Sequence, residues 1–178
     1  MVKPKVDKWV WGNEQILWGF DNGQKYTFKI LEPKVGKDGC LSLQYHHEKS
    51  ESWLVIRGVV WALVAVGDSV ATRIMRPGDG QNLPTGVIHR LMGLTPDCQV
   101  AEASTPDKHA ADKSVPKDVV RLHCVQGREV AKPVDDRMAK VTAIAVELTM
   151  RAIEAVAAGK TPDEVNPEFL ADNGSFKI

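Results

Sequence analysis

Gln44, His46, Glu51 and His89 are the residues of this sequence whose types and spacing could do chemistry together. Gln44 and His46 stand two apart, so on an extended strand both side chains leave the same face. Glu51 follows a short connection and opens the next apolar run, which can lie antiparallel beside the first. His89 comes just after Pro84 and Gly86, a tight turn that delivers it onto a further strand. Two imidazoles, a carboxylate and an amide oxygen form a hard-to-borderline donor set. It suits Zn²⁺ first, and also Fe²⁺, Mn²⁺ or Ni²⁺. A structural zinc site usually closes on thiolates, whereas this set leaves room for water or substrate. The expected centre is therefore open, and catalytic or ligand-binding.

Around these four stand residues with weaker signals. Lys29 interrupts an apolar strand and is read either as an inward polar group near the chemistry or as an outward solvated side chain. Arg90 follows His89 directly, so on a regular strand it points to the opposite face, a structural placement. Arg121 is read in the same way, as a structural cation or one that meets a phosphate. His47 alternates away from His46, and His109 and His123 read as surface or internally satisfied histidines. The five tryptophans are assigned to the core, with Trp53 sharing the parity of Glu51 and so facing the cavity.

The elements that must position these residues are short. Apolar runs at 26–31, 41–46, 51–56, 59–64, 70–75, 81–83, 88–92 and 99–103 are separated by Gly and Pro, and 119–125 adds one more. Many short strands at this spacing predict an all-β sandwich or barrel over residues 9–125. Residues 135–158 lack Gly and Pro and are rich in good helix formers, so a C-terminal helix is expected over 135–159. Met138, Val141, Ala145, Leu148, Ala152 and Ala155 make one apolar stripe, with Val146, Met150, Ile153 and Ala157 beside it. So wide an apolar surface calls for two coverings, the barrel and either more core or the partner in a homodimer. Residues 106–117 read as a mobile surface loop and 160–178 as an irregular tail.

The charges balance at 23 basic against 23 acidic residues, which argues against a nucleic-acid partner. Three widely spaced cysteines without a CxxC fit reduced thiols in a cytoplasmic protein better than a disulfide framework or a cysteine zinc site. The charged N-terminus has no signal-peptide core, and no run approaches the ~20 apolar residues of a membrane span.

The two ligand-bearing stretches are similar to the paired motifs of the cupin superfamily, G-x5-HxH-x4-E-x6-G and G-x5-PxG-x2-H-x3-N. Gln44 replaces the first His, the opening glycine is one residue closer, and Gly93 replaces the final Asn. Within the superfamily, residues 41–58 resemble the signature of type II phosphomannose isomerase domains, LSLQ-x-H-x-x-R-x-E-x-W-x-V-x-x-G. Trp11, Gly12, the strand with Lys29, residues 84–91 and residues 118–121 match in order, so the resemblance covers 9–122 and leaves the C-terminal helix outside. Lys49 stands at the family Arg, Ser52 where His is common, and the loop 33–39 is longer.

The resemblance implies a cupin double-stranded β-helix, a jelly-roll barrel. It also implies a metal on Gln44, His46, Glu51 and His89, and interconversion of mannose 6-phosphate and fructose 6-phosphate. Lys29, matching a family Lys, becomes the expected catalytic side chain. Two other functions share the barrel: an Fe(II) cupin dioxygenase acting on a small molecule, and a non-catalytic cupin that binds a sugar or metabolite.

Overall fold

The computed structural model describes residues 4–19, 25–106, 108, 112 and 114–165. Eleven strands are named in chain order: β1 Lys5–Trp9, β2 Gly12–Trp18, β3 Thr27–Pro33, β4 Leu43–His46, β5 Glu51–Arg57, β6 Val60–Val66, β7 Ser69–Met75, β8 Gly80–Leu83, β9 Ile88–Gly93, β10 Gln99–Ser104 and β11 Val119–His123. They pair antiparallel in two sheets, one of order β1-β2-β3-β10-β5-β8 and one of order β11-β4-β9-β6-β7. A helix, α1, runs from Asp136 to Ala157. The first strand begins at Lys5, ahead of the expected start at residue 9. Its alternating charges Lys5 and Asp7 suit an exposed edge strand, which carries little apolar signal to read.

β6 shows how the layers form. Val60, Ala62 and Val64 face the space between the sheets, packed with Trp11, Trp53, Val55, Leu91 and Val100. Trp61, Leu63 and Ala65 face the other way, onto Val141, Ala145, Leu148 and Ala152 of α1. A strand buried on both faces reads as a continuous apolar run, and this one does. The first stripe of α1 is thus largely covered by the five-stranded sheet. In the second stripe Ile153 is buried and Met150 remains 40% exposed. Asp135 caps the helix by accepting the Met138 N–H at 2.7 Å.

Arg90 lies on the helix side of β9, opposite in parity to His89, as the alternation predicts. Its guanidinium is fully buried and donates to Thr149 Oγ1 (2.8 Å), His123 Nδ1 (2.9 Å) and the His123 carbonyl (2.8 Å). It therefore ties α1 to the edge of the sheet. Among the described residues Cys40, Cys98 and Cys124 are free thiols, and no helix is long and apolar enough to cross a membrane. His109 and the tail 166–178 lie outside the described residues.

Candidate metal centre

Strand parity and two turns bring the chemistry-bearing side chains together. Glu51, Trp53 and Val55 alternate inward on β5, with Ser52, Leu54 and Ile56 outward. Gln44 lies opposite His89 in the β4–β9 pair, and directly opposed residues share a face. Gly86, with φ +80°, lets the turn double back so that its N–H donates to the His46 carbonyl at 2.8 Å. That bond fixes the start of β9 against the end of β4. Gly58, with φ +72°, closes the β5–β6 turn where a Cβ would strike the Cys98 backbone at 2.9 Å.

His46, Glu51 and His89 are all buried, and ligand atoms of the three lie within 4.8 Å of one another. His46 Nε2 is 3.2 Å from Glu51 Oε1 and His89 Nε2 is 3.6 Å from Glu51 Oε2. His89 donates Nδ1–H to the Val87 carbonyl at 2.9 Å, which leaves Nε2 as the bare lone pair. That Nε2 is buried and has no hydrogen-bond partner. Burial pulls the His89 pKa below its ordinary value despite the attraction of Glu51, so the ring stays neutral. Burial opposes charge on Glu51 as well, but Lys49 and the two histidines outweigh it and hold the carboxyl well below the usual range. A lone pair and a carboxylate oxygen thus face one another in a buried position. A cation between them would convert that repulsion into ligation, so the donors fit a divalent metal.

Gln44 completes the group from β4. Its Nε2 is 3.5 Å from His46 Nε2, and Ser42 Oγ donates to its Oε1 at 2.7 Å. Ligation through Oε1 needs the amide turned end for end. A serine hydroxyl both donates and accepts, so Ser42 satisfies either end. Trp53 packs edge-on against His89, with ring centroids 5.4 Å apart.

The sequence left three parts of the site unread. Lys49 turns inward from the β4–β5 connection and pairs with Glu51 and, at 3.3 Å, with Glu102. Glu102 in turn meets Lys29 at 3.2 Å, and Lys29 meets Glu14 at 2.8 Å. Lys29 therefore faces inward. Burial works against its charge, but Glu102 and Glu14 prevail and raise its pKa, so it is a fixed cation. The third part is Asp118, at the foot of β11. It accepts the N–H groups of Glu48 (2.8 Å) and Lys49 (2.9 Å), and its Oδ2 lies 3.3 Å from His46 Nδ1. The two backbone donors, set against burial, keep its carboxyl below the usual range. The pair lacks hydrogen-bond geometry here, so Asp118 acts on the ring as a nearby negative charge. Alternation marks Glu102 as inward on β10, but no local pattern links Asp118 to His46.

Gln44, His46, Glu51, Lys29, Lys49 and Glu102 line one cavity of about 550 Å³. His47, exposed, stands outside it. Two antiparallel sheets facing across such a polar cavity, with a buried His–Glu–His cluster, define a cupin. The profile of the family described as mannose-6-phosphate isomerase C-terminal matches residues 5–100, more than half of the chain, and the chain belongs to that family.

Among curated proteins it is 37% identical over 78 residues to xanthan biosynthesis protein XanB of Xanthomonas campestris pv. campestris (strain B100). That match covers 42% of this chain and 15% of the relative. It is 31% identical over 110 residues to mannose-1-phosphate guanylyltransferase 2 of Escherichia coli O157:H7, covering 58% and 20% respectively. The aligned part is thus a small fraction of each relative. Among solved structures, the capsular polysaccharide assembling protein CapF from Staphylococcus aureus superposes with a TM-score of 0.54 at 13% identity, over 68% of this chain and 34% of that one. Oxalate decarboxylase from Bacillus subtilis gives 0.53 at 12% identity, over 93% and 37%. At these identities the likeness speaks for the fold.

Proposed function

We propose that this chain is a divalent-metal-dependent aldose–ketose isomerase of a phosphorylated sugar, with mannose 6-phosphate the first substrate to test. Gln44, His46, Glu51 and His89 would hold the metal, Zn²⁺ first, with Fe²⁺, Mn²⁺ and Ni²⁺ suiting the same donors. The observation that carries this reading is the unpartnered Nε2 of His89 facing the Glu51 carboxylate, which itself lines a cavity large enough for a sugar.

A bound divalent cation supplies Lewis-acid polarisation of a carbonyl and its neighbouring hydroxyl. The chain's own residues do the rest. Lys29 and Lys49, both with raised pKa, remain ammonium groups and stabilise negative charge that develops on substrate oxygens. Neither is a base, so the proton that moves between adjacent carbons falls to a cavity carboxylate outside the ligand set, Glu14 or Glu102. Asp118 places a negative charge beside His46. The free thiols fit a reducing, cytoplasmic setting, and the exposed Met150 on α1 fits a homodimer contact.

The test loads the metal-stripped chain with each cation in turn and follows conversion of mannose 6-phosphate to fructose 6-phosphate. Metal-dependent turnover is the expected result. Tight metal and sugar binding without turnover would overturn it in favour of a binding protein. Iron with substrate-dependent oxygen uptake would instead make the chain a dioxygenase.

A further inference from the structure

The carboxylates of the cavity all have charged or donor partners. Asp7 meets Lys5, Glu14 meets Lys29, Glu102 meets Lys29 and Lys49, Glu51 meets Lys49, and Asp118 meets His46 and two backbone N–H groups. Two guanidinium groups in the same cavity do not follow this pattern. Among the described residues no carboxylate lies within ion-pair distance of Arg121 or Arg128. Arg121 Nε is buried without a hydrogen-bond partner. Arg128 donates only to neutral groups, Nε to Cys124 Sγ at 3.3 Å and Nη2 to Ser42 Oγ at 3.2 Å. Burial, and then the proximity of Arg128, act against the charge on Arg121. Two like charges held together without a counter-charge are unfavourable unless an anion joins them.

Their position says which anion. Arg121 lies opposite Gln44 in the β11–β4 pair, and Gln44 lies opposite His89. Arg121 is thus on the inner face, one strand spacing of about 4.8 Å from Gln44 and two from His89. Arg128 reaches the same place through Ser42, whose Oγ contacts Gln44. Arg121 comes from β11 of the five-stranded sheet and Lys29 from β3 of the six-stranded sheet, and both line the same cavity. A small molecule with its carbonyl end at the cluster and a dianion several bonds away spans that distance. The planar fork of arginine matches phosphate oxygens two at a time.

We infer that Arg121 and Arg128 form the subsite for the phosphate group of a phosphorylated sugar whose reacting end lies at His46, Glu51 and His89. The inference rests on the isomerase reading and adds where the phosphate is held. Lys117, exposed on the same rim, adds attraction without fixing geometry.

The test uses the full, metal-loaded chain and its Arg121→Gln, Arg128→Gln and Arg121→Lys variants. Calorimetric titration with inorganic phosphate and with mannose 6-phosphate is run beside metal content and thermal melting. Each Gln variant should weaken both ligands tenfold or more with metal per chain unchanged, and Arg121→Lys should regain part of the loss. Folded, metal-replete Gln variants that bind both ligands within twofold of the parent overturn the subsite. So does a parent that binds no inorganic phosphate, a result that needs no variant. Turnover with an unchanged KM in the Gln variants sinks the subsite and spares the isomerase. Loss of phosphate affinity in a chain that turns over no sugar phosphate sinks the isomerase and spares the subsite.

Discussion

Lys29 sits between Glu14 and Glu102 in a mostly buried place, so its charge holds together two carboxylates that would otherwise repel. Lys29→Met should therefore lower stability by about 3 kcal/mol, the scale of leaving a buried charge uncompensated, read from urea unfolding of the metal-free chain. An unchanged midpoint would mean that the two carboxylates find other partners. His89 and His123 make a second prediction. Burial lowers the pKa of both in the folded state, with Arg90 adding to the effect at His123. Above the unfolded value of about 6.5 both states hold the neutral ring. Below it the unfolded chain takes up protons that the folded chain refuses. Stability of the metal-free chain should fall between about pH 7.5 and about pH 5.5, before carboxylates titrate, and His123→Gln should remove part of that fall. A flat profile would show that both rings protonate freely in the fold.

The convergence of the candidate quartet was legible because strand alternation fixes which side chains share a face, and Gln44, His46, Glu51 and His89 obey it. Asp118 and Lys49 were not, for a physical reason. Lys49 turns inward on an irregular connection where parity has no meaning, and Asp118 reaches His46 only because β11 pairs with β4 across a long loop.

Helix α1 depends on a buried cation that meets no carboxylate among the described residues. Arg90 reaches across to Thr149, whose hydroxyl in turn donates to the Ala145 carbonyl at 2.7 Å. Thr149→Val removes the acceptor and leaves a guanidinium N–H unsatisfied, so a loss of about 2 kcal/mol is expected, measured by thermal unfolding with metal content unchanged. Asp135→Ala, which only removes the cap, should cost about 1 kcal/mol. If Thr149→Val costs no more than the cap, the Arg90 contact is not what anchors the helix. The helix itself was plain in the sequence, since residues 135–158 lack Gly and Pro and carry a regular stripe. Its docking side was not, because two adjacent stripes compete and only contact with β6, β7 and β11 decides between them.

For the whole molecule, a cation that binds only the folded chain must raise its stability. A hundredfold excess over Kd contributes about 2.7 kcal/mol, or roughly 5–10 °C in Tm for a chain of this size. Chelation should reverse the shift, and Glu51→Gln or His89→Ala should abolish it with the barrel retained by circular dichroism. Melting that ignores added cation in the parent chain would remove the metal centre from consideration. The barrel was foreseen from alternation and turn spacing, but its first strand was not. β1 pairs only with β2 and exposes most of its surface, so its residues carry no apolar period.

β11 is held in its sheet by β4 alone, yet it and its flanks carry Asp118, Arg121 and Arg128. The profile match, residues 5–100, contains Gln44, His46, Glu51 and His89 and ends before β11, where residues 118–121 carry a separate resemblance to the family signature. On the proposed reading, the groups that react and the groups that select would lie on separate strands. Substitutions along this edge strand would then change which molecules are admitted and leave the quartet in place, so a new substrate would need no new chemistry.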